Sequence, residues 1–246
     1  DIAEYNPMEC VKTNVGGAEN VVKAALSTNV LKIISLSTDK ASDPINLYGA
    51  TKLTSDKIFI SANNIVGANH RTRFSVVRYG NVAGSRGSVI PIFKKLIDQG
   101  SKELPITDNR MTRFWITLDH GVEFVLRSID IMEGGELFVP KTPSIRIIDL
   151  VKSLDKNIKY HIVGIRPGEK LHEILCPEDS SRDTLEFKDY YLIRPTFYHV
   201  DSTKTKYNSY KINKNNEKGK FVKSNFVYNS STNSHFLSVK ELKKFI

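Results

Sequence analysis

The apolar positions near the start of the chain follow helical spacing. Over residues 6–29 they recur at intervals of three and four, which predicts one long helix with a single apolar face. The residues of this face are Val11, Val15, Ala18, Val21, Val22, Ala25 and Leu26. Gly16 and Gly17 lower the helix propensity, so we expect a close approach to a neighbouring element at this pair.

Two short apolar runs then alternate with a second helical pattern. The runs VLKIISLS and RFSVVRY are rich in β-branched residues, as in buried parallel strands. Between them, residues 47–63 repeat apolar positions with helical spacing. This alternation of helix and strand predicts an α/β fold with a doubly wound parallel sheet.

The polar stretch STDKASDPINLYGATK lies where the first predicted strand ends. Ligands of open α/β sheets bind outside the carboxyl ends of the strands, so Thr38, Asp39 and Lys40 are predicted to face a ligand crevice. Tyr48 and Lys52 are four residues apart, which places them on one face of a helix. A nearby ammonium favours the phenolate, which would make Tyr48 a candidate acid/base; the alternative is an ordinary solvated surface pair.

Composition and charge exclude several classes of protein. With 40% hydrophobic and 26% charged residues, the 246-residue chain has the composition of a soluble α/β protein. No membrane span or signal peptide is predicted, and we expect a cytoplasmic protein. Cys10 and Cys176 are expected to be reduced. The HEILC stretch lacks the second histidine of a zinc motif, so no metal site is predicted.

The net charge of +9 comes mostly from the end of the chain. Residues 201–246 hold ten lysines against three acidic residues. The Lys/Asn-rich segment 204–223 is predicted to be a mobile, solvated loop, and without a reader motif no nucleic-acid partner is expected. Ser238 and Glu241 form a capping-box pattern, which predicts a short closing helix that packs back on the chain. Trp115 is expected to be a core residue or a residue between the lobes, without a chemical role.

Four longer stretches together carry a resemblance to a known family. They are LSTDKASDPINLYGATKLTSDKIF, RYGNVAGSRGSVIPIF, ITDNRMTRFWIT and GIRPGEKLHEILCPEDS. The chain resembles the extended short-chain dehydrogenase/reductases, and within them the soluble inverting 4,6-dehydratases that act on UDP-N-acetylglucosamine in the pseudaminic acid pathway. Where dTDP-glucose-type enzymes carry glutamate this chain has Lys40, and where membrane-anchored retaining relatives typically carry methionine it has Tyr48.

The resemblance implies a role for each residue of the polar stretch. Tyr48, activated by Lys52, would deprotonate the C4 hydroxyl while hydride leaves C4 for NADP, with NAD as the alternative cofactor. Lys40 would then remove the C5 proton and Asp39 would protonate the departing C6 hydroxyl. Thr38 would orient the C4 oxygen. The net reaction is loss of water with inversion at C5.

The resemblance also implies a cofactor site, a sugar-nucleotide site and a homo-oligomer. The implied cofactor-binding residues are Ser37, Tyr48, Lys52, Tyr79 and Asn81. The implied residues for UDP-N-acetylglucosamine are Asn81, Ser88, Val89, Lys95, Arg113, Arg166 and Glu169. Gly80, Gly84 and Gly87 would permit the tight loop that carries part of this site, although a glycine-containing loop alone is more often a plain turn.

The resemblance predicts two lobes and one missing segment. Residues 1–85 and 113–140 would form part of a Rossmann-like cofactor domain, and residues 86–112 and 141–246 a nucleotide-sugar lobe. The G-x-G-x-x-G fingerprint is not in the sequence. We expect it upstream of Asp1, so that the chain is a fragment of a longer protein. The alternatives are a nucleotide-sugar epimerase or reductase of the same family, or a non-catalytic UDP-sugar-binding fragment.

Overall fold

The structure is a computed structural model that describes residues 2–65, 71–85, 87–195 and 210–245. A π-helical turn over Lys12–Gly16 separates the second and third helices. The helices in these ranges are α1 (Ile2–Tyr5), α2 (Pro7–Val11), α3 (Gly17–Ser27), α4 (Leu47–Ile65), α5 (Val89–Asp98), α6 (Leu118–Ile131), α7 (Ile147–Leu154) and α8 (Val239–Leu242).

The strands lie mostly between these helices. Short 3₁₀ turns occupy Asp39–Ala41, Glu178–Asp183 and Lys243–Phe245. The strands are β1 (Lys32–Thr38), β2 (Arg73–Tyr79), β3 (Asn81–Val82), β4 (Glu103–Ile106), β5 (Thr112–Ile116), β6 (Leu137–Pro140), β7 (Ser144–Arg146), β8 (Lys159–Ile162), β9 (Ile174–Cys176), β10 (Thr184–Glu186), β11 (Tyr190–Ile193), β12 (Lys220–Phe221) and β13 (Tyr228–Asn229).

The chain divides into two compact units. The first comprises residues 1–79, 123–141 and 174–227, and the second comprises residues 80–122, 142–173 and 228–246. These bounds differ from the predicted lobes mainly at residues 174–227, which were predicted to lie with the nucleotide-sugar residues. They join the first unit because β10, β11 and β12 extend its sheet.

The first unit is built on a six-stranded sheet in the order β1-β2-β6-β11-β10-β12. β1 and β2 are parallel, with Lys32 opposite Arg73 and Thr38 opposite Tyr79, and β6 continues the parallel part. β11, β10 and β12 are antiparallel additions. The predicted α/β fold with a parallel sheet is confirmed, and the antiparallel extension was not foreseen from the sequence.

Each unit has its own apolar core. The core of the first unit includes Val77, Phe124, Phe138, Leu185 and Tyr190. The core of the second unit contains Trp115, as predicted, together with Leu237 and Leu242 from the end of the chain. Burial of these side chains is the main favourable term that holds each unit together.

The closing helix is confirmed in detail. Ser238 Oγ accepts a hydrogen bond from the Glu241 backbone N–H, and the Glu241 carboxylate accepts one from the Ser238 N–H. Leu242 of α8 is fully buried and packs in the core of the second unit. The capping box therefore fixes where this helix begins, and the apolar side chain fixes where it packs.

The predicted long helix at 6–29 is interrupted. The π-helical turn closes with the Gly17 N–H donating to the Lys12 carbonyl, so one extra residue enters the turn. A Cβ at Gly16 would meet no atom of the described residues within 4 Å, and one at Gly17 would lie 4.0 Å from the Lys12 oxygen. The expected close approach at the glycine pair is therefore wrong.

The Lys/Asn-rich segment is ordered over the part that the structure describes. Residues 204–209 lie outside the described residues. Beyond them, the Tyr210 hydroxyl donates to the Gly134 carbonyl at 2.8 Å and Lys214 Nζ donates to the Met132 carbonyl at 3.1 Å. β12 then pairs with β10. The prediction of a mobile loop is wrong for 210–223. It was based on the low apolar content of the segment, whereas backbone pairing and these long-range hydrogen bonds do not require apolar side chains.

A buried ion pair anchors the sheet to α4. Arg78 Nη2 donates to Asp56 Oδ2 at 3.1 Å, and the two side chains are 5% and 1% exposed. Ser37 Oγ donates to the same carboxylate oxygen at 2.7 Å, and Arg78 Nη1 donates to the Leu175 carbonyl at 3.2 Å. One carboxylate thus ties β1, β2 and α4 together.

Replacing Asp56 with alanine should leave the Arg78 guanidinium buried without its carboxylate. We expect the free energy of unfolding, measured in urea, to fall by about 3–5 kcal/mol. Glu19→Ala breaks the exposed Glu19–Lys23 pair and is the matched control, with an expected loss of no more than about 1 kcal/mol. Equal losses in the two variants would contradict this view of the buried pair.

Candidate active site

The carboxyl end of β1 carries the three polar residues predicted to face a ligand. Thr38 Oγ1 donates to Asp39 Oδ1 at 2.9 Å, and Lys40 Nζ donates to the same oxygen at 2.9 Å. The Asp39 side chain is 1% exposed, whereas that of Lys40 is 35% exposed. The 3₁₀ turn therefore holds the buried Asp39 carboxylate. Its Oδ1 atom accepts hydrogen bonds from both the Thr38 hydroxyl and the partly exposed Lys40 ammonium.

α4 brings the predicted tyrosine and lysine to the same strand end. The Asn46 side-chain oxygen accepts a hydrogen bond from the Gly49 N–H at 2.7 Å and so caps the start of the helix. Lys52 Nζ donates to the Leu36 carbonyl of β1 at 2.7 Å. Tyr48, one turn earlier on the helix, is 40% exposed.

The electrostatics around Tyr48 differ from the sequence prediction. Burial raises the pKa of the Tyr48 phenol, and the ammonium that opposes this rise is that of Lys40. The carboxylate of Asp39 adds to the rise. In the described residues desolvation therefore outweighs the neighbouring positive charge, and the lowering of the phenol pKa by Lys52 together with a positively charged nicotinamide stays a prediction.

Ser37 and Tyr79, both predicted cofactor residues, occupy different surroundings. Ser37 is 6% exposed, and its hydroxyl donates to the buried Asp56. Tyr79 is half-buried at the end of β2, opposite Thr38 in the parallel register. Burial raises the pKa of Tyr79, and the charge of Tyr48 adds to the rise. Tyr79 thus belongs to the polar strand end, whereas Ser37 lies beneath it.

The glycine loop of the second unit carries two unsatisfied polar atoms. Gly84 and Gly87 have φ of 70° and 74°, as a tight loop requires. Ser88 occupies the N-cap position of α5 but its side chain makes no cap bond. Among the described residues, the Ser88 hydroxyl and the Asn81 side-chain oxygen are both buried without a hydrogen-bond partner.

Two more predicted substrate residues lie on α5. Val89 is the first residue of the helix, next to Ser88. Lys95 lies in its last turn and is exposed. With a rise of about 1.5 Å per residue, Lys95 is roughly 9 Å further along the axis than Val89. The structure therefore keeps Val89 at the glycine loop and does not bring Lys95 there.

The structure brings Arg113 and Glu169 together and adds Glu173 to them. Arg113 Nη2 lies 3.5 Å from Glu169 Oε1, and Arg113 Nε lies 3.7 Å from Glu173 Oε1. Arg113 Nη1 also donates to the Leu171 carbonyl at 3.1 Å. Arg166 is exposed and approaches Glu169 through its backbone N–H, at 3.5 Å. The guanidinium of Arg113 is thus held in place by a group of acceptors.

The sequence reasoning missed three charged residues that shape these surroundings. Asp56 and Arg78 lie among apolar residues of α4 and β2. Charged residues in such positions are usually paired when they are buried, so the sequence could have indicated this ion pair. Glu173 was considered only as a metal ligand. Among the residues that the structure describes, no group of three or more histidines, cysteines or acids could hold a metal ion. No helix in the same ranges has the length and apolar character needed to cross a membrane.

Some of the unsatisfied buried atoms belong to predicted ligand residues, and these occur in both units. Besides Asn81 and Ser88, the Asp39 Oδ2 atom is buried and has no hydrogen-bond partner among the described residues. Buried polar atoms are nearly always hydrogen-bonded, so each such atom calls for a partner from a ligand or water. The residues present fit a polar ligand, such as a nucleotide sugar or a nicotinamide cofactor, in each unit taken by itself.

Known proteins resemble the chain over most or all of its length. A protein of Campylobacter jejuni serotype O:2 named UDP-N-acetylglucosamine 4,6-dehydratase (inverting) is 58% identical over 245 residues, covering 100% of this chain and 72% of that relative. A protein of Rickettsia canadensis named UDP-glucose 4-epimerase is 43% identical over 195 residues, covering 77% of this chain and 56% of the relative.

Solved structures show the same fold. The structure of Pen from Bacillus thuringiensis is 35% identical with a TM-score of 0.84, covering 100% of this chain and 71% of that one. A dTDP-glucose 4,6-dehydratase from Streptomyces venezuelae, solved with NAD bound, has a TM-score of 0.57 at 21% identity, covering 65% and 56% of the two chains. The family described as polysaccharide biosynthesis protein matches residues 1–195. This chain belongs to that family.

Proposed function

We propose that the chain is a UDP-N-acetylglucosamine 4,6-dehydratase that inverts C5 and produces a 6-deoxy-4-keto sugar. The observation that carries the proposal is the turn at the end of β1, where Asp39 and Lys40 share a hydrogen bond beside Tyr48. Oxidation followed by elimination of water requires one acid and two bases, and the carboxyl, amine and phenol of these residues can serve as those groups. The name of the Campylobacter relative, at 58% identity, supports the same substrate.

The first half of the reaction uses the residues of β1 and α4. Tyr48 accepts the proton of the C4 hydroxyl, and Thr38 positions the C4 oxygen. Lys52 and Tyr79 would hold a nicotinamide cofactor, proposed to be NADP with NAD as the alternative. Such a cofactor would supply the acceptor for the C4 hydride and its later donor to C6. Removing hydride at C4 gives a ketone, which acidifies the C5 proton.

The second half uses the ion pair. Lys40 removes the C5 proton, and Asp39 protonates the C6 hydroxyl as it leaves as water. As hydride returns to C6, a proton from solvent reaches C5 on the opposite face, which inverts the configuration there. Lys40 must first lose its own proton, which its contact with Asp39 opposes. Transfer of that proton across the 2.9 Å contact from Nζ to Oδ1 yields a neutral amine and a neutral acid in one step.

The second unit supplies the residues that we propose bind the sugar nucleotide. Arg113 offers a planar guanidinium suited to paired phosphate oxygens, and Arg166 is free to approach through its exposed side chain. The diphosphate would compete with Glu169 for Arg113, and Glu169 would then serve the ribose hydroxyls. The unsatisfied atoms of Asn81 and Ser88 support their role as ligand contacts.

The proposal extends to the setting of the enzyme. We place it in the cytoplasm, where UDP-sugars and nicotinamide cofactors are available, as a homo-oligomer. Its product would feed the synthesis of pseudaminic acid and of glycans that contain it, such as those on flagellin.

A second candidate function is nucleotide-sugar 4-epimerisation. It is favoured by the 43% identity to the protein named UDP-glucose 4-epimerase. Epimerisation needs Tyr48, Lys52 and Thr38 for oxidation and reduction at C4, but it removes no proton from C5. The two functions therefore differ in their need for Asp39 and Lys40.

The first test of the function follows the product in heavy water. We expect the full-length protein, incubated with UDP-N-acetylglucosamine and either NADP or NAD, to give a 6-deoxy-4-keto sugar with deuterium at C5 and inverted configuration there. NMR of the sugar ring protons measures this outcome, and the faster reaction identifies the preferred cofactor. Unchanged sugar, or sugar altered only at C4, would contradict the dehydratase proposal.

The second test concerns Lys40. Lys40→Met should lower the rate of dehydration by about 10²–10⁴-fold, which is the usual contribution of a general base. The rate is measured by NMR under saturating substrate. Lys57→Met, at an exposed position of helix α4, is the matched control and should leave the rate unchanged. A Lys40→Met enzyme that still epimerises the sugar at C4 as fast as the wild type would favour the epimerase.

The third test concerns the phenol pKa. Because the Lys40 ammonium lowers the pKa of Tyr48, its removal in Lys40→Met should raise that pKa further, so the phenolate forms only at higher pH. NMR titration of ring-labelled tyrosine measures the shift, and Tyr48→Phe assigns the signal. An unchanged or lowered Tyr48 pKa would show that Lys40 does not act on the phenol.

A further inference from the structure

The π-helical turn before α3 directs a polar side chain at α4. The extra residue in the turn over Lys12–Gly16 brings Asn14 to Thr51, where Asn14 Nδ2 donates to Thr51 Oγ1 at 3.0 Å. Cys10 Sγ, on the preceding helix, lies 3.4 Å from the same hydroxyl oxygen. Such turns are often found at functional sites. Here the turn makes a polar contact with α4.

Thr51 is the centre of this contact. It is 4% exposed, and its hydroxyl donates to the Tyr48 carbonyl at 3.0 Å. A hydroxyl offers one hydrogen and two lone pairs. The bond to Tyr48, the bond from Asn14 and the contact with Cys10 use all three. The orientation of the Thr51 hydroxyl is therefore determined by its surroundings.

The link matters because Tyr48 lies in the first turn of α4. The N–H groups of a first helical turn have no partner within the helix, and helix ends fray. The Thr51 hydroxyl ties the Tyr48 backbone, through Asn14, to the turn at 12–16. The phenol ring is attached to that backbone, so its position relative to the Asp39–Lys40 turn depends on how firmly the backbone is held.

We propose that Thr51 is a positioning residue that sets the Tyr48 phenol for proton transfer. The inference rests on the proposed function, in which Tyr48 takes the C4 hydroxyl proton. Thr51 acts through the Tyr48 backbone and touches no reacting atom. A misplacement of about 1 Å can cost as much as about 100-fold in rate, so a loosened first turn is enough to slow the reaction.

α4 provides its own control. Thr54 Oγ1 donates to the Ala50 carbonyl at 3.0 Å, so it makes the same kind of bond to its own helix as Thr51. Thr54 is exposed, whereas Thr51 faces Asn14. Thr54→Val thus removes an equivalent bond within the helix and leaves the link between the helices intact.

The experiment compares Thr51→Val, Thr51→Ser and Thr54→Val in the full-length protein. Single-turnover dehydration, with enzyme in excess over UDP-N-acetylglucosamine, yields an amplitude that reports the active fraction and a rate constant that does not depend on it. We expect Thr51→Val to lower the rate constant about tenfold with a normal amplitude. Thr51→Ser, which keeps the hydroxyl, and Thr54→Val should stay within about twofold of the wild type.

The possible outcomes separate the inference from the proposed function. A Thr51→Val protein with a reduced amplitude and an unchanged rate constant would show a purely structural role and overturn the inference. So would an equal effect of Thr54→Val. If Thr51→Val does not fold, as judged by circular dichroism, Asn14→Ala replaces it in the test. This change removes the hydrogen bond from the π-helical turn to Thr51 and should also lower the rate constant; an unchanged rate constant would overturn the inference. A wild-type protein that makes no 4-keto sugar would instead refute the proposed function.

Discussion

The arrangement of the candidate site depends on how closely α4 approaches the turn at the end of β1. A Cβ at Gly49 would lie 2.1 Å from the Lys40 carbonyl oxygen and 3.0 Å from its carbon, so only glycine allows this contact. Tyr48 precedes Gly49 directly, and Lys52 follows one turn later. A single backbone contact therefore sets the tyrosine, the lysine and the Asp39–Lys40 pair relative to one another.

The same strand end is held from below by a different kind of interaction. Ser37, one residue before Thr38, donates to Asp56, which also pairs with Arg78. A buried pair of this kind adds little net stability, but removing one partner is costly, so the position of the strand is sharply defined. Close packing above the turn and the buried charges beneath it leave little freedom to the residues between them.

The sequence predicted the local parts of this arrangement and missed the parts that depend on distant contacts. Periodicity located β1, β2 and α4, and residue spacing placed Tyr48 and Lys52 on one face. The π-helical turn was missed because Val11, Val15 and Ala18 fit an ordinary helix equally well. The ordered structure of residues 210–223 was missed because their polar composition does not indicate the pairing with β10. The pairing of Arg113 with Glu169 joins residues far apart in sequence, which no local pattern reveals.

The contact between Asp39 and Lys40 also accounts for the two protons that move in the proposed elimination step. Elimination gives Lys40 one proton from C5 and takes one from Asp39 for the departing water, which converts the neutral pair into the ion pair seen in the structure. Transfer of one proton back across the same contact restores the neutral pair. A 4-epimerase moves no proton at C5 and has no use for this exchange. The shared oxygen Oδ1 is therefore the feature of the turn that best fits dehydration.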